Sequence, residues 1–290
     1  CFSGQYDVAS ASFDHPMIQW AAANMYDNRS PLLDHNGVAN PARGGDLSRL
    51  LFGINPADYD KYPREKLETR LWEDTNFAML RDRDLEVFIK YGLIIASHSH
   101  FDIMNIEISA FGESVSYDLS TNGYGSFLFN WQQGTLSHCT VATDRINIPK
   151  KSKGKLLEYD KEKAHIRALS EDAYPGIDYI RDLKLDDNTL HDRFTCTGKD
   201  GKPHTYDYIF HCLGEPEFGF DAKEAPPFTE KLYDTLQELK CYESDGDINF
   251  AYKLPDKRVD ITLKGEKGTK FYIFRGYAQT GKHLRWGIMA

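Results

Sequence analysis

Hydrophobic positions change their spacing part-way along the chain. In residues 14–26 and again in residues 44–53, apolar side chains recur at helical spacing, with Leu50 and Leu51 directed inward in the second segment. Two short helices cannot bury their apolar stripes without further helices. We therefore expect residues 1–65 to be the end of a larger helical domain, together with a linker.

From there on, apolar and polar residues alternate, which is typical of half-buried strands. Residues 77–80 and 85–90 flank a charged turn and predict a hairpin, and a second pair follows on either side of Gly112. Further strands are predicted at 138–148, 155–169, 177–185, 191–197, 205–213, 248–253, 258–263 and 269–275. A helix is predicted at 229–240. Many short strands separated by turns predict an antiparallel β-sandwich over residues 66–290.

Charge and composition narrow the class of partner. The formal net charge is −9 and the isoelectric point is about 5.6, which argues against nucleic acid or an anionic membrane as the main partner. The sequence has no apolar run of the length that a membrane-spanning helix needs, so no membrane span is expected. An acidic polysaccharide stays compatible with this charge if Arg, Lys and His gather in one cleft.

The cysteines do not predict a disulfide scaffold or a zinc knuckle. There are five, and none has a partner at CxxC spacing. The chain begins with Cys1 rather than Met, which leaves two alternatives: a processed, lipid-anchored N-terminus, or a cut within a longer protein. The helical character of residues 1–65 favours the cut.

Candidate chemistry is concentrated in residues 98–145. His98 and His100 are two positions apart, so on a strand both would face the apolar side. Buried imidazoles need partners, because an unpaired buried polar group costs about 1–3 kcal/mol. His100, Asp118 and His138 would offer two nitrogens and a carboxylate oxygen, a set that suits zinc. A metal-free cluster of hydrogen-bonded histidines is the alternative.

A metal site of the cupin type is a competing interpretation of the same histidines. Gly92 and the His98-x-His100 motif fit the beginning of the cupin pattern. However, Met104 and Asn105 stand where that pattern requires glutamate, so the sequence disfavours a cupin.

The order of the motifs resembles that of the heparinase II/III-like polysaccharide lyases, the heparinase and oligoalginate lyase group. The matching parts, in order, are His98-x-His100-x-Asp102, the Gly112 turn, a strand ending at Asp118, the loop Gly123-Tyr124-Gly125, and Thr135-x-x-His138. The resemblance covers about residues 66–290 and implies the C-terminal β-sandwich of such a lyase. It also implies that residues 1–65 are the end of a truncated (α/α) toroid. Cys139 stands where the family usually has Asn, which puts one loop contact in doubt.

The resemblance further implies an activity, cleavage of uronic-acid-containing glycans by β-elimination, and roles for six side chains. His98 would be a base or a group that binds the substrate carboxylate, and Tyr124 would be a proton donor or a substrate contact. His100, Asp118 and His138 would be ligands of a mainly structural zinc ion. Asp102 would orient one of the histidines. Because most of the toroid is absent from this chain, we expect the chain alone to have little activity.

A function from another class also fits the composition. A non-catalytic carbohydrate-binding or structural β-sandwich would explain the 17 tyrosines without any catalytic histidine. For the lyase, the expected partner is an acidic polysaccharide or oligosaccharide, and the expected location is the periplasm or the extracellular space. A homodimer is left open.

Overall fold

The chain forms two compact units, residues 1–68 and 69–290. The computed structural model describes residues 3–24, 47–55, 58, 61, 67–92, 98–149, 151–279 and 284–290.

Short helices make up the described part of the first unit. They are α1 (Ser3–Ser12), α2 (Pro16–Asn24) and α3 (Leu47–Phe52). The helices predicted at 14–26 and 44–53 are confirmed over their described residues, whereas α1 was not predicted. The prediction that Leu50 and Leu51 point inward is wrong, since their side chains are 81% and 61% exposed. Three short helices offer too little surface to cover every apolar stripe. The assignment of this unit to a toroid stays a prediction.

The second unit is an assembly of antiparallel sheets, which confirms the predicted β-sandwich class. Its described strands are β1 (Arg70–Trp72), β2 (Phe77–Asp82), β3 (Leu85–Lys90), β4 (Asn105–Ala110), β5 (Glu113–Ser116), β6 (Val141–Thr143), β7 (Lys155–Asp160), β8 (His165–Tyr174), β9 (Ile177–Asp186), β10 (Thr189–Gly198), β11 (Tyr206–His211), β12 (Glu215–Phe218), β13 (Lys223–Glu224), β14 (Gln237–Ser244), β15 (Ile248–Lys253), β16 (Arg258–Leu263), β17 (Thr269–Tyr277) and β18 (Leu284–Met289). They form sheets in the orders β1-β2-β3-β4-β5, β10-β9-β8-β7, β13-β14-β17-β18-β11-β6 and β12-β15-β16.

The six-stranded sheet is buried on both faces. Successive residues of a strand point to opposite sides, and here both sides are apolar: Phe210 and Ile288 enter the large core, whereas Ile209 and Met289 enter a second, smaller core. A short helix, α4 (Phe129–Gln133), and the 3₁₀ turn Thr135–Ser137 after it pack into that smaller core through Trp131 and Leu136. The smaller core thereby fixes the segment that leads to His138.

Three predicted elements differ from the structure. The helix predicted at 229–240 is wrong: these residues form a 3₁₀ turn, Tyr233–Thr235, and the beginning of β14. The strand predicted at 138–148 shrinks to β6, because Asp144 and Arg145 adopt left-handed backbone angles. The strand predicted at 155–169 is two strands, β7 and the first half of β8, separated by a turn.

In the part of the chain that the structure describes, no helix is both long and apolar enough to cross a membrane.

Candidate functional site

A pocket of about 290 Å³ lies on the five-stranded sheet, on the face that points away from the large core. Strand alternation places its sheet residues there: Phe88 is paired with Glu107 across β3 and β4, and Phe77 with Lys90 across β2 and β3. Asn105, the first residue of β4, also lines the pocket, and the remaining lining comes from loops, namely His98, Ser99, His100, Asp102 and Asp118.

The structure brings His100, Asp118 and His138 together at one end of this pocket. Nδ1 of His100 lies 3.1 Å from Nε2 of His138 and 3.3 Å from Oδ2 of Asp118, and the last two atoms are 3.0 Å apart. Ligand atoms placed at 2.0–2.1 Å around a tetrahedral zinc ion lie about 3.3 Å from one another. The three atoms therefore have the spacing of one face of a tetrahedral metal site.

Neighbouring groups orient two of these ligands. Nδ1 of His138 donates to the carbonyl of Gly134 at 2.7 Å, which leaves the lone pair of Nε2 directed toward the cluster. The backbone N–H of Ser120 donates to Oδ1 of Asp118 at 2.7 Å, which leaves Oδ2 facing the two histidines. Such contacts are typical of metal ligands, whose remaining polar atoms bond to carbonyls and amides.

Charges within the cluster reinforce one another. Burial alone would raise the pKa of Asp118, but the charge of His138 and hydrogen bonds from both histidines hold that pKa well below its usual range. Burial alone would lower the pKa of His138, but the carboxylate of Asp118 raises it. Asp118 is therefore favoured as a carboxylate, and its charge favours a proton on His138. A metal cation could take the place of that proton.

Asp102 lies beside this cluster with a different partner. Its carboxylate oxygen lies within 4.8 Å of the three ligand atoms, yet it accepts a hydrogen bond from Nζ of Lys90 at 2.6 Å. Among the described residues it accepts no hydrogen bond from a histidine, so the predicted contact is not formed. Asp102 instead fixes the ammonium group of Lys90 in the wall of the pocket. Glu107 lines the same wall, where burial raises the pKa of its carboxyl.

His98 and Tyr124 form a separate pair at the rim. The Tyr124 hydroxyl lies 2.8 Å from Nδ1 of His98, and the Tyr124 side chain is 64% exposed. His98 has a φ of 61° and lies in a turn rather than on a strand. The prediction that His98 and His100 lie on one strand and face the same way is therefore wrong. A left-handed residue breaks the two-residue period, so one imidazole meets Tyr124 and the other meets Asp118.

Hydrogen bonds hold the loop that carries Tyr124. The side-chain amide of Asn122 donates to the carbonyl of Gln279 at 2.6 Å, and its backbone N–H donates to Oε1 of Gln132 at 2.9 Å. Gln132 is buried and also donates to the Gln279 carbonyl, at 3.1 Å. The hydroxyl of Tyr124 is thus presented by an anchored segment.

Several residues of the site were not predicted. Lys90 and Glu107 could have been found from strand parity, because they alternate with the core residues Ile89 and Ile106. Cys139, at the position that departs from the family pattern, places its thiol 3.1 Å from the Ser116 hydroxyl.

Comparison with known proteins finds a match for the structure of the chain but not for its sequence. No protein-family model matches the chain, and no curated protein matches it. The crystal structure of a mutant of the heparan sulfate lyase HepC from Pedobacter heparinus matches with a TM-score of 0.50 and 12% sequence identity. The match covers 81% of this chain and 38% of that one. The fold is that of the heparinase lyases.

A heparinase III structure matches with a TM-score of 0.49 and 13% identity, over 81% of this chain and 37% of that chain. The HepC match, with its TM-score of 0.50, confirms the expected resemblance to the heparinase II/III group at the level of the fold. The match covers only 38% of the HepC chain, so the activity and substrate of the present chain are matters for proposal.

Proposed function

We propose that the chain is part of a polysaccharide lyase that cleaves uronic-acid-containing glycans by β-elimination. The observation that carries the proposal is the His98–Tyr124 pair, 2.8 Å apart at the rim of a pocket, in a fold shared with a heparan sulfate lyase. The proposed partner is an acidic polysaccharide or oligosaccharide. A periplasmic or secreted location follows from that substrate class.

β-Elimination needs a base and an acid at neighbouring positions. The base removes the proton at C5 of the uronate, the bond from C4 to the bridging oxygen breaks, and that oxygen takes a proton. In the tautomer with hydrogen on Nδ1, His98 donates to the Tyr124 hydroxyl oxygen, and Nε2, 3.5 Å from the same oxygen, has a lone pair that can accept a proton. His98 is then the base, and the O–H of Tyr124 is the acid.

The same hydrogen bond allows the pair to reset. After Nε2 of His98 has taken the C5 proton, and Tyr124 has given its own proton to the leaving oxygen, the pair is an imidazolium beside a phenolate. Transfer of the Nδ1 proton to the phenolate over 2.8 Å restores two neutral side chains. One proton has then moved from carbon to oxygen, and loss of the Nε2 proton to water with uptake of one at Nδ1 returns His98 to its starting tautomer.

We also propose that His100, Asp118 and His138 hold a zinc ion. The support is the tetrahedral spacing of Nδ1, Oδ2 and Nε2 and the bond from His138 to the Gly134 carbonyl. When bound, zinc would tie together the segments before and after the Tyr124 loop, which is a mainly structural contribution. The catalytic steps proposed here use His98 and Tyr124 only.

Exposed aromatic rings favour a second candidate function, a non-catalytic carbohydrate-binding module. Phe127 is 75% exposed, and its ring centroid lies 5.9 Å from that of Tyr277. Together with Tyr124 it offers apolar ring faces of the kind that pack against sugars. Such a module would bind the glycan and leave it intact.

The test is the ultraviolet absorbance of the unsaturated uronate product, measured on the full-length protein with a panel of uronic-acid polysaccharides. We expect one polymer to give a rise in absorbance, and His98→Ala and Tyr124→Phe to slow it by about 10²–10⁴-fold, as for the loss of a general base or acid. The control is His191→Ala, which removes an exposed histidine of β10 outside the pocket.

Two outcomes would contradict the proposal in different ways. Binding of a polymer without any rise in absorbance would favour the carbohydrate-binding module. A rise that both variants leave unchanged would retain the lyase but remove His98 and Tyr124 from its chemistry.

A further inference from the structure

Arg285 of β18 is a buried arginine that contacts both segments of the candidate metal centre. Its side chain lies within the protein, and the residue is only 7% exposed. One terminal nitrogen donates to the carbonyl of Tyr117 at 3.2 Å, and the other donates to the carbonyl of Ser137. Tyr117 directly precedes Asp118, and Ser137 directly precedes His138. One planar group therefore bonds to the backbone next to two candidate ligands.

The geometry of a guanidinium makes this contact informative. Its donors are fixed in one rigid plane, so two carbonyls that bind its two terminal nitrogens are held at a set separation. Here the two carbonyls belong to Tyr117 and Ser137, which are 20 residues apart along the chain. Asp118 and His138, the residues that follow them, have the same separation in sequence. The facing atoms of those two ligands are 3.0 Å apart. Arg285 is thus placed to determine that spacing.

The partners of Arg285 do not explain its burial by charge pairing. Among the described residues its hydrogen bonds go to carbonyls and not to a carboxylate, and its Nε is buried without a hydrogen-bond partner. Arg181, also buried, pairs with the carboxylate of Asp192. A buried charge without an ion pair is costly. We therefore infer that Arg285 contributes through the backbone geometry that it imposes and not through the free energy of unfolding.

A second arginine holds the other side of His138. A terminal nitrogen of Arg181 donates to the carbonyl of Cys139 at 2.6 Å, and the same nitrogen donates to the carbonyl of Met104. The residues on either side of His138, Ser137 and Cys139, are therefore both bonded through their carbonyls to buried guanidinium groups. Only the contacts of Arg285 also reach the neighbour of Asp118.

We propose that Arg285 is a positioning residue that sets the separation of Asp118 and His138 and thereby the metal affinity of the cluster. This inference rests on the proposed metal centre. It goes beyond that proposal because it assigns a role to a side chain that contacts neither the metal nor the substrate.

The experiment is a Co²⁺ titration of the metal-free full-length protein, followed by the visible ligand-field spectrum, which reports the coordination geometry. We expect Arg285→Met to weaken Co²⁺ binding by about 10–100-fold, as for other residues that orient metal ligands, and to alter the spectrum. Arg285→Lys should recover part of the affinity, because it keeps the charge and a donor. A purely structural role would change the thermal unfolding temperature of the metal-free protein and leave the spectrum of the bound Co²⁺ unaltered.

The matched control is Arg275→Met. Arg275 of β17 also donates to a carbonyl, that of Leu284, and its guanidinium lies over the Trp286 ring, away from both ligands. This variant should keep the wild-type Co²⁺ affinity and spectrum. If Arg285→Met does not fold, Arg285→Lys carries the test.

Three results would overturn the inference. Wild-type affinity and spectrum in the folded Arg285 variants would remove the positioning role and leave the metal centre intact. An equal loss in Arg275→Met would make the effect a general one of removing an arginine that donates to a carbonyl. Absence of Co²⁺ binding by the wild-type protein would refute the metal centre and this role together.

Discussion

His204 connects two loops of the second unit through both nitrogens of its ring. Nδ1 lies 2.7 Å from a carboxylate oxygen of Asp144, just after β6, and Nε2 lies 3.0 Å from one of Asp200, in the turn between β10 and β11. Only the imidazolium form has a hydrogen on each nitrogen to donate. The hydrogen bond to Asp200, and then that to Asp144, raise the pKa of His204 above its ordinary value.

We therefore expect His204→Gln to lower the thermal unfolding temperature in a pH-dependent way. A raised pKa in the folded state means that the stabilisation is complete below the unfolded pKa of about 6.5 and is lost as pH rises through the folded value. Unfolding temperatures of both proteins, measured from mildly acidic to mildly alkaline pH, should converge at the alkaline end. His191→Gln, at an exposed position, is the control. A difference that does not change with pH would show that His204 acts without its charge.

At the level of single residues, the sequence predicted the members of the histidine and aspartate cluster better than their surroundings. His100, Asp118 and His138 could be named because the order of motifs along the chain carries them. Arg285 could not be found in this way, because nothing in the sequence around it shows that its side chain reaches two carbonyls far along the chain. Contacts from side chain to backbone depend on the packed fold, and local sequence does not record them.

Among the elements, α4 depends on a close approach to β17. A Cβ atom added to Gly276 would lie 2.5 Å from a ring carbon of Trp131, and the Trp131 indole donates to the carbonyl of Tyr277 at 2.9 Å. Only a residue without a side chain permits this contact. Because the chain runs directly from the end of α4 through Gly134 and a 3₁₀ turn to His138, the same contact supports the candidate metal centre.

We expect Gly276→Ala to destabilise the protein by about 1–3 kcal/mol, since the added methyl group must displace a buried indole. Urea unfolding followed by circular dichroism measures this change. Gly219→Ala is the matched control: Gly219 is exposed, has open space around its Cβ position, and should change stability by less than about 0.5 kcal/mol. Equal effects of the two substitutions would mean that a general effect of replacing glycine in this fold, and not the contact with Trp131, is responsible.

Element prediction succeeded where alternation was regular and failed where the backbone reverses. The hairpin of β2 and β3 was predicted from two runs of mainly apolar residues parted by a charged turn, and burial alternates over the first four residues of β2 and along the whole of β3. In residues 229–240, Leu232, Leu236 and Leu239 have helical spacing and are indeed buried. They are buried without a helix, because Leu232 and Glu238 adopt left-handed angles and a bulge shifts the register of β14. Apolar spacing therefore predicted which of these side chains are buried but not the backbone that buries them.

For the molecule as a whole, the two cores and the candidate site all lie within the second unit. The buried members of the large core run from Ala78 to Ile288, and those of the smaller core from Tyr117 to Met289. His98, Tyr124 and the three candidate ligands fall within the same limits. Among the residues that the structure describes, the buried members of both cores therefore all belong to residues 69–290.

We accordingly expect a protein comprising residues 69–290 to fold cooperatively and to bind Co²⁺ like the longer chain. For a unit of this size, a change of 1 kcal/mol in the free energy of unfolding corresponds to about 2–4 °C in unfolding temperature. We expect the unfolding temperatures of the two proteins to differ by no more than that. Residues 85–290 are the matched control, because removing β1 and β2 deletes Ala78 and Leu80 from the large core and exposes the edge of β3. That shorter protein should aggregate or unfold at a much lower temperature. If residues 69–290 behaved in the same way, the helical unit would have to be part of the cooperative core. If they folded but did not bind Co²⁺, a ligand for the metal would have to come from outside residues 69–290.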